Sequence, residues 1–265
     1  MPFDRILELL KRCDSAETVM PPTELFSEGW MLRLMIDRFE HIGFPNRSGR
    51  LIVPPKLNWY CEPLLPTAFP PKVRSDRRGE FPTHADCVIG DFSFRKDTRV
   101  GLKLNATSKH FVVIEAKMFS ELSASVTNAR NFNQAARTVA CIAETLRLAG
   151  LRPDDLTIGF YVLAPKALIA GGKVTKHLDR TDLSNVVRNR ATDYGDDRLD
   201  WFEKYFEPVL DNLSNNLRIE AISWEELIGF LPDDPHKQAL EYFYGRCLDY
   251  NGLQRGDKRS SSTPV

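Results

Sequence analysis

A short run of large apolar residues that ends in two opposite charges constrains this chain more than any other feature of its sequence. The run is His110-Phe111-Val112-Val113-Ile114-Glu115-Ala116-Lys117. Four consecutive large apolar residues indicate a strand that is covered on both faces. Side chains alternate along a strand, so Glu115 and Lys117 should project from one face, directly beyond the buried part. The sequence therefore predicts a carboxylate and an ammonium side by side at the end of a core strand.

The Glu-x-Lys triplet alone does not define a site. An ion pair between residues i and i+2 on a solvated strand face is common and contributes about 0 to 1 kcal/mol. A second carboxylate, Asp86, lies in another predicted strand over residues 83–94, which begins after Pro82. A hairpin or meander over residues 99–104 would return the chain beside the Glu115 strand, so the two carboxylates would converge.

Asp91 competes with Asp86 for this position. Five residues separate the two, so in a regular strand their side chains point to opposite faces and only one can join Glu115. Asp86 begins its strand and is followed by the apolar residues Cys87, Val88 and Ile89, whereas Asp91 precedes an aromatic run. We therefore favour Asp86.

A helix predicted over residues 23–41, with Thr23 as its N-cap, carries a third acid. Glu28 lies on the apolar stripe of this helix, which is formed by Met31, Leu32, Met35, Phe39 and Ile42. A carboxylate that faces the core is costly unless it is paired or binds a metal. A structural ion pair is the alternative explanation.

A second amphipathic helix is predicted to begin at about residue 128, after the Glu115 strand. Gln134 and Arg137 share a face that differs from its apolar stripe. Polar residues in the first turns of a helix usually contact water, and helical periodicity does not decide between that reading and a site.

This order of elements, together with Glu28, Asp86, Glu115, Lys117 and Gln134, resembles the PD-(D/E)xK nuclease superfamily over residues 20–165. The resemblance implies that Asp86 and Glu115 bind a divalent metal, that Glu28 joins them, that Lys117 assists the attacking water and that Gln134 supports the site. Ala85 occupies the position of the name-giving proline, which does no chemistry.

Magnesium is the cofactor that the resemblance implies, with manganese as a substitute. Mg²⁺ is usually held by one or two carboxylates, with substrate phosphate and water completing the octahedron. The Ala116 carbonyl is a candidate third ligand. A lysine near a divalent cation is disfavoured in its charged form, so the proton state of Lys117 should shift in the direction useful for catalysis.

The 36 basic and 36 acidic residues give a net charge of zero. A nucleic-acid binder of this kind must therefore use local basic patches. Candidate contacts are Arg77, Arg78, Arg130 and Arg137, and ordinary solvated loops are the alternative. The five cysteines have no paired or CxxC spacing, and the chain has no apolar stretch of about 20 residues. We expect a cytoplasmic protein without structural zinc or a membrane span, and a homodimer is compatible with the sequence.

The predicted fold class is α/β, with a restriction-endonuclease-like core whose mixed central β-sheet is flanked by helices in αβββαβ order, and with a mostly helical C-terminal elaboration. Its predicted parts are an N-terminal helix (1–20), the core (21–165) with a proline-rich excursion (54–82), a mainly helical part packed on the core (166–252) and a disordered tail (253–265).

The predicted function is metal-dependent hydrolysis of phosphodiester bonds in nucleic acid. DNA is the favoured substrate, in restriction, repair or defence. The alternative is a catalytically inactive nucleic-acid-binding or protein-interaction module that retains the nuclease fold, because fold alone never establishes activity. A two-carboxylate hydrolase without metal is less favoured, because nothing in that chemistry requires Lys117.

Overall fold

The computed structural model describes residues 2–15, 20–96, 100–125, 129, 131–195, 197–216 and 218–260, and of residues 2–3 and 252–260 it describes the backbone alone. The strands are β1 (Phe44–Pro45), β2 (Leu51–Val53), β3 (Asn58–Cys61), β4 (Leu64–Leu65), β5 (Thr83–His84), β6 (Cys87–Gly90), β7 (Phe92–Phe94), β8 (Leu102–Leu104), β9 (His110–Ala116), β10 (Thr157–Ala164) and β11 (Ile219–Ser223).

The helices are α1 (Pro2–Asp14), α2 (Pro22–Leu25), α3 (Glu28–Ile42), α4 (Gln134–Ala149), α5 (Lys166–Ala170), α6 (Arg180–Tyr194), α7 (Asp197–Trp201), α8 (Glu207–Asn215), α9 (Trp224–Gly229) and α10 (Pro235–Ser260). A π-helical turn, Phe202–Phe206, joins α7 to α8. None of the helices in the described part of the chain combines the length and the apolar character that a transmembrane span requires.

A mixed five-stranded sheet forms the centre of the molecule, in the spatial order β3-β6-β9-β10-β11. The pairs β3–β6 and β6–β9 are antiparallel, whereas β9–β10 and β10–β11 are parallel. The central strands and their flanking helices follow one another along the chain as α3, β3, β6, β9, α4 and β10. The predicted α/β class with a mixed central sheet flanked by helices is therefore confirmed.

The strand β9 is buried on both faces, as its apolar run predicts. Phe111 and Val113 belong to the hydrophobic cluster that includes α4 and α6. Val112 and Ile114 belong to a second cluster that includes α3, α9 and α10. Strand alternation thus divides the core into two layers, one on each face of the sheet.

The single strand predicted over residues 83–94 is wrong, because this segment forms β5, β6 and β7 in three different sheets. The chain leaves the central sheet after Gly90, whose φ of +155° few other residues adopt and which lies against the carbonyl of His110. The strand β7 pairs with β8 outside the central sheet. It is therefore β6 itself, and not the returning strand, that lies beside β9.

Two helices begin later than the sequence predicts. The helix α3 begins at Glu28, because Ser27 caps it by accepting the Trp30 N–H at 3.4 Å. The helix α4 begins at Gln134, because Asn133 Oδ1 accepts the Ala136 N–H at 2.8 Å. Serine and asparagine are favoured at such caps. Glu28 and Gln134 consequently occupy the first positions of their helices.

The proline-rich excursion is anchored to the helical layer on the α4 face. Phe69 is buried against the rings of Phe132, Tyr194 and Trp201. The helix α10 continues to Ser260, past the predicted end of the ordered chain at residue 252, and residues 261–265 lie outside the described residues. The division into parts stays a prediction.

Candidate active site

The end of β9 brings together a buried carboxylate and a buried ammonium. Lys117 Nζ donates to Glu115 Oε1 at 2.8 Å. The two residues are only 8% and 3% exposed, so this is not an ion pair on a solvated strand face. Lys117 continues the pairing of β9 with β10, because its N–H donates to the Leu163 carbonyl at 2.7 Å. Its own carbonyl accepts the Trp224 indole N–H at 3.0 Å.

Asp86 reaches the same end of the sheet from the neighbouring strand. It directly precedes β6, and its Oδ2 accepts the Ala116 N–H at 2.7 Å. Asp91 follows β6 at the opposite end, where its Oδ1 accepts the Asn105 side-chain N–H at 2.6 Å. Asp86 therefore lies beside Glu115, and Asp91 is engaged elsewhere.

Glu28 approaches the cluster from α3, which lies in the helical layer on one face of the sheet. Its Oε2 accepts the Met118 N–H at 2.7 Å, so α3 is attached to the residue that follows Lys117. Its position at the start of α3 also places the carboxylate at the positive end of the helix dipole.

Gln134 approaches the cluster from α4, which lies on the face of the sheet opposite to α3. Its Nε2 donates to Glu115 Oε1, and its Oε1 accepts the Ser123 N–H at 3.2 Å. The amide is thus fixed at both ends. Arg137, one turn further along α4, lies close enough to Glu115 and Glu80 to act on both electrostatically. Its Nε is buried and makes no hydrogen bond within the described residues.

Two carboxylates of this cluster, those of Glu115 and Glu28, hold their protons more firmly than usual. Burial raises the pKa of Glu115 to about 8, and the charge of Asp86 adds to this effect against the opposing influence of Lys117. Burial also raises the pKa of Glu28, again with Asp86 adding to it. Protonation or a cation is therefore needed to offset the negative charge that these acids would otherwise concentrate.

Burial lowers the pKa of Lys117, but the carboxylates of Glu115, Asp86 and Glu28 raise it by more, so the pKa lies above its ordinary value. The side chain is accordingly held as an ammonium among three acids. The downward shift expected of a lysine beside a divalent cation concerns the metal-bound site and stays a prediction.

One carboxylate near the cluster is missed by the sequence analysis. Glu62 follows β3, adopts a φ of +60°, and donates its N–H to the Asp86 carbonyl at 3.2 Å. Burial and Asp86 raise its pKa. The apolar pattern indicates a strand at this place but does not say which strand it pairs with, and that pairing alone brings Glu62 to Asp86.

The predicted nucleic-acid contacts are only partly described. Arg77 and Arg78 are exposed, and Arg78 Nε lies 3.5 Å from Asp76 Oδ1. Arg137 lies between two carboxylates rather than on an open surface. Arg130 lies outside the described residues. Both exposed arginines are accessible to a phosphate group, Arg78 in exchange for its contact with Asp76, and their contact with nucleic acid stays a prediction.

The donor chemistry of the cluster fits a divalent cation such as Mg²⁺, which prefers carboxylate oxygens. Within the described residues, Asp86 and Glu28 each accept a backbone hydrogen bond on one carboxylate oxygen, which leaves the other oxygen available. The geometry is less complete: no three acids, histidines or cysteines in the described part of the chain lie close enough together to form a ready metal site. A cation held by two carboxylates, with substrate and water as further ligands, remains compatible with this arrangement.

Neither a protein-family model, nor a curated protein, nor a solved structure matches this chain. The side chains gathered at the end of β9 are therefore the observations from which a function must be inferred. They define a hydrogen-bonded cluster of three acids, one lysine and one amide at one end of the sheet, in which Glu115 and Lys117 are buried and Asp86, Glu28 and Gln134 are half-buried.

Proposed function

We propose that this chain is a metal-dependent nuclease with a restriction-endonuclease-like core. The observation that carries the proposal is the meeting of Asp86, Glu115, Lys117 and Glu28 at one end of the sheet. Three separate elements supply these residues, namely the segment that precedes β6, the strand β9 with the residue after it, and α3, and a surface ion pair would not require that. The order α3, β3, β6, β9, α4 and β10 supports the same proposal.

Asp86 and Glu115 would hold Mg²⁺, with Glu28 as a further acid and Mn²⁺ as a substitute metal. When bound, the metal would act as a Lewis acid that stabilises negative charge on the phosphoryl oxygens. Burial is the first cause of the raised pKa of Glu115, and the charge of Asp86 adds to it; this like-charge contribution, which a bound cation would relieve, supports the assignment.

The other residues would orient and neutralise the reacting groups. The Lys117 ammonium would hold its proton at Nζ, from where it can stabilise a phosphate oxygen or orient the attacking water. Gln134 keeps the Glu115 carboxylate in place by donating to Oε1. The Ala116 and Met118 N–H groups likewise fix Asp86 and Glu28. Such fixed donors need little rearrangement during the reaction.

A binding module without catalysis is the second candidate, and two observations favour it. Both Lys117 and Gln134 donate to the same oxygen of Glu115, so that oxygen is already occupied. The described residues also form no group of three metal ligands. A protein that kept the cluster for stability alone would show the same contacts.

Cleavage assays with the purified full chain separate the two candidates. Labelled plasmid, linear DNA and RNA would each be incubated with Mg²⁺, with Mn²⁺ or with EDTA. We expect cleavage of DNA in either metal and none in EDTA. Binding without cleavage of any substrate, in both metals, would favour the binding module over the nuclease.

A further inference from the structure

Two cysteines face each other across the edge of the central sheet. Cys61, the last residue of β3, lies directly opposite Cys87, the first residue of β6. The next pair along these strands is Glu62 and Asp86, which are joined by a backbone hydrogen bond of 3.2 Å. Because hydrogen-bonded and non-hydrogen-bonded pairs alternate in an antiparallel ladder, Cys61 and Cys87 form a non-hydrogen-bonded pair.

This register brings the two sulfur atoms close together. In a non-hydrogen-bonded pair the Cα atoms are about 4.5 Å apart, which lies at the near end of the ~4.4–6.8 Å range that disulfides span. The side chains lie on the same face, where Cys87 belongs to the hydrophobic cluster that includes α3 and Cys61 packs against it, and each thiol is close enough to influence the other. Both cysteines are free in the structure.

Cys61 is the more accessible member of the pair. It is half-buried, whereas Cys87 is fully buried beneath it. Arg33 of α3 places a positive charge near Cys61, and Glu62 and Asp86 place negative charges near it. A partly exposed cysteine with a second cysteine directly opposite it can be oxidised to a sulfenic acid that condenses with the neighbouring thiol to a disulfide.

We propose that Cys61 and Cys87 are a disulfide-forming modification site whose oxidant is a peroxide. The Cys61 thiolate attacks hydrogen peroxide, the O–O bond breaks, and a sulfenic acid forms as one water molecule leaves after protonation. Cys87 then attacks the sulfenic sulfur, the S–S bond forms, and a second water molecule leaves. Two thiols and one hydrogen peroxide thus yield one disulfide and two water molecules.

The disulfide would hold the edge strand β3 against β6 next to the candidate active site. Glu62 and Asp86 are the next residues beyond the two cysteines, and both belong to the acidic surroundings of the cluster. The disulfide would therefore tie the backbone of β3 to that of β6 directly beside Asp86. Its formation does not depend on the proposed nuclease activity.

Intact-mass measurement of the full chain tests this inference. The reduced protein would be treated with hydrogen peroxide, without reductant, and then digested and mapped under non-reducing conditions. We expect a mass loss equal to two hydrogen atoms, a cross-linked peptide that joins Cys61 to Cys87, and recovery of the original mass with dithiothreitol.

Variants identify the sulfur atoms involved. Cys61→Ser, and Cys61→Ala as a second replacement should the first fail to fold, should form no cross-link, whereas Cys141→Ala should form it like the wild type. Cys141 is buried in the other layer of the core and serves as the matched control. A gain of oxygen atoms without a cross-link, or a main product that joins other cysteines, would overturn the inference. Because the readout is a mass, its failure is separate from failure of the nuclease proposal, which cleavage assays report.

Discussion

Glu115 is the residue on which the cluster converges. It accepts from Lys117 on the same strand and from Gln134 on α4, and it lies close enough to Asp86 to sense its charge. Removing one partner of a buried charged pair leaves the other uncompensated, at a cost of several kcal/mol. Substitutions in the cluster should therefore affect stability as well as any chemistry, and tests must measure both.

The first prediction separates the proposed roles of Lys117 and Asp86. Lys117→Ala should lower cleavage by ~100 to 1,000-fold, the usual loss when one positioned donor to a developing charge is removed, while Mn²⁺ and DNA binding stay nearly intact. Asp86→Ala should lose both metal binding and cleavage. Cleavage rates and Mn²⁺ titrations on the same preparations would show the difference.

Asp91→Ala is the matched control for Asp86, because Asp91 lies at the other end of β6 and contacts Asn105. It should cleave like the wild type if it folds. If Lys117→Ala cleaves as fast as the wild type, the catalytic proposal is wrong and the binding module takes its place.

The second prediction concerns pH and Glu115. Its pKa is raised to about 8 from 4.5 by burial, so the native state keeps a proton that the unfolded state releases. The stabilising contribution is therefore complete below pH 4.5 and is lost as the pH rises through about 8. Glu115→Gln, which cannot ionise, should escape this loss.

Urea unfolding in EDTA at several pH values measures the effect. The free energy of unfolding of Glu115→Gln, relative to wild type, should rise by on the order of a few kcal/mol across this pH range. A difference that does not vary with pH would show that Glu115 does not carry a raised pKa.

Among the elements, those that the sequence predicts well are the ones whose signal is local. The continuous apolar runs of β9 and β10 identify both strands, and Ser223 with Glu226 identifies the capping box of α9. The division of residues 83–94 into three strands could not be predicted from local sequence, because the break at Gly90 results from its contact with another strand. Pairing, and with it the position of Glu62, is likewise a tertiary property.

The predicted starts of α3 and α4 are inaccurate for a related reason. Several residues near each start are acceptable caps, and the chain uses Ser27 rather than Thr23 for α3 and Asn133 for α4, five residues beyond the predicted start at about residue 128. The sequence nevertheless singles out Glu28 and Gln134, which the structure brings to the cluster, because the resemblance depends on their order along the chain and not on the helix boundary; their role in a site stays a prediction. The sequence does not predict that both residues occupy the first position of their helices.

The third prediction tests the packing of β6 on β9. A Cβ atom at Gly90 would lie 2.3 Å from the carbonyl oxygen of His110, and the φ of +155° is itself unfavourable for alanine. Gly90→Ala should therefore lower the free energy of unfolding by at least about 1–3 kcal/mol. Denaturant unfolding would measure the loss.

Gly229→Ala provides the comparison within the same chain. Gly229 is the last residue of α9, and a Cβ atom there would meet nothing within 4 Å. This variant should be as stable as the wild type, or slightly more stable, because alanine favours helix. Equal losses at both positions would mean that the approach of β6 to β9 is not what requires Gly90.

At the scale of the whole molecule, balanced charge has a consequence for substrate binding. With equal numbers of acidic and basic residues, the chain has no long-range attraction to nucleic acid from net charge. The acids of the proposed site would repel phosphate unless a cation is bound. Affinity would then come from local groups such as Arg77 and Arg78, which are exposed.

The fourth prediction follows from this arrangement. DNA binding in Ca²⁺, which should support binding without cleavage, ought to weaken steeply as salt increases. The double substitution Arg77→Ala and Arg78→Ala should weaken binding further and reduce the slope of log affinity against log salt by about 1–2, since each phosphate contact contributes about 0.9. The double substitution Lys109→Ala and Arg152→Ala removes the same charge at exposed residues that precede β9 and β10, at the end of the sheet away from Asp86 and Glu115, and should leave the slope unchanged. Equal losses in the two double variants would mean that overall charge, and not the Arg77–Arg78 segment, governs binding.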